Sequence, residues 1–158
     1  MKPIGIAFQV VFGIKPGYDD ASIPEGDPAQ IVSTAFLKAA DAELKKTEIL
    51  VTAAFSSGTI SYWSPREEKT IHEPVAIATG NSNPVFVADT GARTPFGDNV
   101  TPIREFREAV VRVVAATRGA LQQERVQLAF MPMDGFVYLE PEEAGGEKHH
   151  GMTGVFPR

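Results

Sequence analysis

Residues 48–68 read EILVTAAFSSGTISYWSPREE, and residues 126–143 read VQLAFMPMDGFVYLEPEE. Each is an apolar run, a break of small or turn-forming residues, a second run alternating β-branched and aromatic residues, and then proline and acid. Such runs read as strands, and Ser57-Gly58 and Asp134-Gly135 read as hairpin turns between them. Tyr62 with Tyr138 and Pro65 with Pro141 are related by the same shift of about 76 residues.

A helical pattern precedes each stretch. In the first, Asp27 is placed to cap free N–H groups and Pro28 fits the first helical position; Ile31, Ala35, Phe36, Ala39 and Ala40 share a face. Lys45 and Lys46 fall in its last turn, where cations oppose the negative end of the helix dipole. In the second, Thr101 and Pro102 repeat the start signal, and Ile103, Phe106, Val110, Val113 and Val114 form the stripe. Its polar side sets Glu105 and Glu108 against Arg104 and Arg112, a solvated face. Strands at PIGIAFQVVF and PVFVAD stand before the helices, and the joining segment supplies one more, PVAIAT.

The expected fold is therefore α+β: a duplicated strand-helix-strand-strand unit, with pseudo-repeats at about 3–65 and 84–141. These build one mixed sheet with two helices on one face. The expected domain spans residues 1–142, followed by a tail at 143–158. At 158 residues the chain can bury a sizeable core without staples. There are no cysteines, which removes disulfides, thiolate nucleophiles and sulfur-ligated zinc together. The N-terminus lacks a signal-peptide cleavage pattern and no stretch is long enough to span a membrane, so the expectation is a cytoplasmic protein. A net charge of −5 argues against nucleic-acid binding.

The order of elements, together with ERVQLAFMPMDGFVYLE near the C-terminus and SIPEGDPAQI before the first helix, resembles the tautomerase superfamily of macrophage migration inhibitory factor and 5-carboxymethyl-2-hydroxymuconate isomerase. The resemblance implies a small-molecule isomerase acting on a carboxylate-bearing enol or keto compound, a trimeric assembly, and a ligand-binding lysine at Lys45 or Lys46. It also implies an N-terminal proline as base. Here Pro3 lies inside the chain as an amide, with no basic nitrogen, and the family's tyrosine and asparagine positions carry Gln127 and Ala129.

The richest polar loop is ADTGARTPFGDN, 88–99. A loop at a strand end that leads into a helix is a common anion site. Arg93 offers a bidentate hold on a carboxylate or phosphate, with Thr90, Asp98 and Lys46 as further ligand-binding candidates. His72 and Asp89 are the candidate proton carriers. The alternative is an ordinary turn with capping side chains. His149 and His150 are adjacent and diverge on an extended chain, so no metal site is expected; no cofactor motif stands out. FSSGTIS lacks the nucleophile-elbow pattern, and Tyr62, Trp63, Phe136 and Tyr138 read as sheet packing. Besides a diverged isomerase, two functions stay open: a non-catalytic oligomeric module for a small anion or nucleotide, and a structural or interaction protein. Homo-oligomerisation is expected in each case, because a sheet with helices on one face leaves the other to be covered.

Overall fold

The computed structural model describes residues 5–17, 22–82 and 102–134. Six elements follow one another: β1 (Gly5–Gly13), α1 (Pro28–Thr47), β2 (Ala54–Ser64), β3 (Lys69–Asn81), α2 (Ile103–Ala120) and β4 (Gln127–Met133). The strands form one sheet in the order β2-β3-β1-β4, and every neighbouring pair is antiparallel. This is the β-α-β-β-α-β arrangement termed ferredoxin-like.

The antiparallel ladder corrects the expected mixed sheet, and the cause lies in the opening stretch. Ser57-Gly58 is not a turn: β2 runs unbroken through it, pairing Ser57 with Ala76 and Gly58 with Val75. The chain reverses instead at Pro65–Glu68, and residues 69–81 return as one long strand that inserts between β1 and β2. Glu68, at the end of this turn, takes a left-handed conformation with φ 52°. PVAIAT is part of β3, which belongs to neither half of the expected 3–65 and 84–141 repeat, so the duplication does not emerge. PVFVAD and Tyr138 lie outside the described residues. EILVTAAF joins the sheet only at its end, from Ala54.

Strand alternation sorts the chain into two sides. From β1, Ile6, Phe8, Val10 and Phe12 point into the core, and Ile14 continues the series. Val32, Phe36 and Ala40 of α1 and Phe106, Ala109, Val110, Val113 and Val114 of α2 meet them. Both helices therefore cover one face, as expected from their stripes. Phe8 and Phe106 are fully or almost fully buried, with ring centroids 6.4 Å apart, and Phe36 meets Phe55 edge-on at 5.3 Å.

Two polar devices fix the helices. Asp27 makes no direct cap bond; instead the Ala29 N–H donates to Ser57 Oγ at 3.0 Å, and that hydroxyl donates to the Asp27 carboxylate. The cap is thus relayed through β2. Between the helices, Arg112 of α2 holds the buried Glu43 of α1, Nε to Oε1 at 3.0 Å and Nη2 to Oε1 at 2.5 Å. Hydrogen bonding from Arg112 outweighs desolvation and keeps the Glu43 carboxyl below the ordinary value of 4.5. At the start of α2, Pro102 occupies the cap position rather than the first helical one; Thr101 is outside the described residues.

Candidate active site

The face without helices carries Ala7, Gln9 and Val11 of β1 and Ile71, Glu73, Val75, Ile77 and Thr79 of β3. From the edge strands come Ile60 and Tyr62 of β2 and Ala129 and Met131 of β4, all on one side by register. It is mostly apolar, and several large side chains on it are open: Ile60 and Tyr62 are each 43% exposed and Met131 46%. Exposed apolar side chains on an uncovered sheet face are a feature of binding surfaces.

Polar side chains interrupt it, and two of them are hydrogen-bonded to each other across β2 and β3. Tyr62 stands opposite Ile71 and Glu73 opposite Ile60, so tyrosine and glutamate are diagonal neighbours across β2 and β3. The Tyr62 hydroxyl donates to Glu73 Oε1 at 3.1 Å. A carboxylate braced by a phenol between two isoleucines can hold a ligand that presents a positive group or hydroxyl donors beside an apolar body. Toward the turn, Lys69 pairs with Glu67 at 2.7 Å.

The opposite side of the same hairpin carries His72, whose Nδ1 is 2.7 Å from Ser61 Oγ. Both are exposed, on the helix side but beyond the Ser57 contact with the start of α1. Lys46 is in the last turn of α1, about 27 Å along the helix from its first residue. The structure therefore does not bring His72 and Lys46 together. Asp89, Thr90, Arg93 and Asp98 lie outside the described residues. Among the described residues no cluster of three or more His, Asp or Glu side chains could hold a metal, and no helix is long and apolar enough to cross a membrane.

In the sequence Tyr62 has the pattern of a sheet-packing residue, and Glu73 carries no motif of its own. The usable signal was the turn at PREE: once 65–68 is the reversal, cross-strand register puts residues 62 and 73 on one face.

Two solved structures share the fold. A phage SAM lyase in complex with S-methyl-5'-thioadenosine superimposes with a TM-score of 0.52 at 15% identity, covering 84% of each chain. A phage SAM lyase in the apo state gives a TM-score of 0.51 at 15% identity, covering 82% of each. No curated protein matches the chain. The family model described as SAM lyase matches residues 4–140, which is most of the sequence. This overturns the tautomerase resemblance and the isomerase function drawn from it. That resemblance rested on element order, and two helices over four strands is an order that different sheet topologies share. The chain belongs to the SAM lyase family.

Proposed function

We propose that this protein cleaves S-adenosylmethionine to S-methyl-5'-thioadenosine, at the helix-free sheet face beside Tyr62 and Glu73. The observation that carries the reading is the family match over residues 4–140; the thioadenosine held by a phage lyase of the same fold supports it.

The product keeps the methyl group and the adenosine, so the bond that breaks joins sulfur to the γ-carbon of the amino-acid arm. Its electron pair goes to sulfur, and the sulfonium becomes a neutral thioether. A lyase uses no water, so the γ-carbon takes its new bond from within the substrate. The substrate's own carboxylate oxygen reaches it in a five-membered ring, releasing an amino lactone. This route needs no protein base. It requires a folded amino-acid arm and an environment in which loss of the sulfonium charge is favourable.

An apolar surface such as Ile60 and Ile71 suits the second requirement, because desolvating the sulfonium raises its energy relative to a transition state in which the charge is dispersing. For the same reason a carboxylate held directly against sulfur would stabilise the substrate more than the transition state. Glu73 therefore serves the substrate ammonium, which stays charged throughout. Tyr62 fixes the carboxylate and offers its ring to the adenosine or the sulfonium methyl.

The test is incubation of the purified chain with S-adenosylmethionine and chromatographic measurement of methylthioadenosine. Formation well above the spontaneous rate, slowed by Glu73→Gln, supports the proposal; a rate equal to buffer alone defeats it.

The exposed Ile60, Tyr62 and Met131 also favour self-association through this face; the trimer implied by the tautomerase resemblance loses that basis. Work on an intracellular methyl donor fits the cytoplasm. A single domain ending near residue 142, with 143–158 as a tail, fits the extent of the family match. Residues 89–99 remain a second candidate for anion contacts, with Arg93→Ala as the test.

A further inference from the structure

Among the described residues, two lysines lie toward the end of the sheet that carries Tyr62 and Glu73, and one of them is uncommitted. Lys69 is paired with Glu67, whereas Lys15 makes no ion pair among the described residues. Lys15 follows β1. Ile14 packs into the helix-side core, to which the next residue, Lys15, does not belong. The ladder between β1 and β3 ends at Gly13 with Val75, and Lys15 and Glu73 each lie two residues beyond that last pair, at the same end of the sheet.

The backbone there is held in place. Gln123 Nε2 donates to the Lys15 carbonyl at 2.5 Å, and the Gly17 N–H donates to the Gln122 carbonyl at 3.1 Å, tying the exit of β1 to the end of α2. Lys15 is half-buried, and a lysine at such a position can bury its stem while keeping its ammonium in water. Its charge is felt at the hairpin turn: Glu67 is held below the ordinary carboxylate value by its hydrogen bond from Lys69, by the charge of Lys69 and, more weakly, by that of Lys15.

We propose that Lys15 binds the carboxylate of the S-adenosylmethionine amino-acid arm, opposite Glu73, which takes the ammonium. This rests on the lyase reading above and names the recognition of the zwitterionic end. A lysine suits the task better than an arginine. Its ammonium is a compact charge that can hold one carboxylate oxygen, whereas a guanidinium engages both. The second oxygen stays free to attack the γ-carbon.

The experiment uses two ligands that differ at this end. S-adenosylhomocysteine has the zwitterion and methylthioadenosine lacks it. Binding of each is measured by calorimetry for the parent, Lys15→Ala and Lys15→Arg, alongside turnover of S-adenosylmethionine. The expected result is a loss of roughly tenfold or more in S-adenosylhomocysteine affinity and in kcat/KM for Lys15→Ala, with methylthioadenosine affinity unchanged within about twofold. Lys15→Arg should recover binding more fully than kcat. Unchanged S-adenosylhomocysteine binding in Lys15→Ala overturns the assignment. So does an equal loss for both ligands, which marks Lys15 as structural. A parent that neither binds methylthioadenosine nor turns over S-adenosylmethionine overturns the lyase reading itself, and that failure shows in the parent rather than in the variants.

Discussion

Tyr62 and Glu73 sit diagonally across β2 and β3, with the phenol oxygen 3.1 Å from the carboxylate, on the sheet face that neither helix covers. Neither residue supports the core, since Tyr62 is 43% exposed and Glu73 belongs to no part of the buried cluster. Their substitution should separate activity from stability. Glu73→Gln is expected to lower kcat/KM by a factor corresponding to about 1.5–3 kcal/mol, the usual value of a hydrogen bond to a charged group, and Tyr62→Phe by about 0.5–1.5 kcal/mol. Thermal unfolding of both should stay within about 0.5 kcal/mol of the parent. A large loss of stability without a kinetic effect would move the site elsewhere.

The pair between Glu43 and Arg112 predicts a pH signature. The folded-state carboxyl lies below its ordinary value of 4.5, so its contribution is present above that value and is lost as pH falls through the folded pKa. Glu43→Gln should therefore be less stable than the parent at pH 7, with the gap closing as the pH falls below the ordinary carboxylate value of 4.5 and through the lower folded-state pKa. Urea denaturation at pH 7 and pH 3.5 measures it; a gap that is constant with pH would deny the ion pair its role.

Gly80 lies on β3 opposite Phe8. A methyl group there would come within 2.6 Å of the Phe8 ring and would also strike the Thr52 carbonyl oxygen. Both are fixed, one by core packing and one by backbone. Gly80→Ala should cost about 3 kcal/mol by overpacking, whereas Gly58→Ala, whose new methyl would meet Val75 and Ile77 at 3.6 and 3.7 Å, should be close to neutral. Denaturant midpoints of the two variants make the comparison.

Ser57 and Asp27 should act as one unit. Removal of either breaks the relay from the Ala29 N–H, so Ser57→Ala and Asp27→Ala should each cost about 1 kcal/mol, as loss of a helix cap does. The double variant should cost little more than either alone. Additive losses would show two independent contributions.

Legibility in the sequence followed the length scale of the signal. Both helices were readable from their stripes, since Phe36 and Ala40 or Phe106, Val110 and Val113 repeat at helical spacing and are buried as that spacing requires. The sheet was not. Ser57-Gly58 has turn chemistry, but the ladder to Ala76 and Val75 and the helix-capping bonds of Ser57 hold it extended. The real reversal at Pro65–Glu68 uses Glu68 at positive φ, where glycine or asparagine would have been the readable choice. Missing that turn hid β3, and with it the register that pairs Tyr62 with Glu73. His72 was noticed for its chemistry, yet it faces the other way from Glu73, a one-residue difference that strand alternation converts into opposite faces.

Cleavage by the substrate's own carboxylate can be followed with the purified protein and S-adenosylmethionine in ¹⁸O-labelled water, by NMR and mass spectrometry at early time points. The expected products are methylthioadenosine and an unlabelled four-carbon amino lactone; when that lactone later opens, the label should enter its carboxyl group. Label in the γ-hydroxyl of the four-carbon product, or S-adenosylmethionine that decays no faster than in buffer, would contradict it.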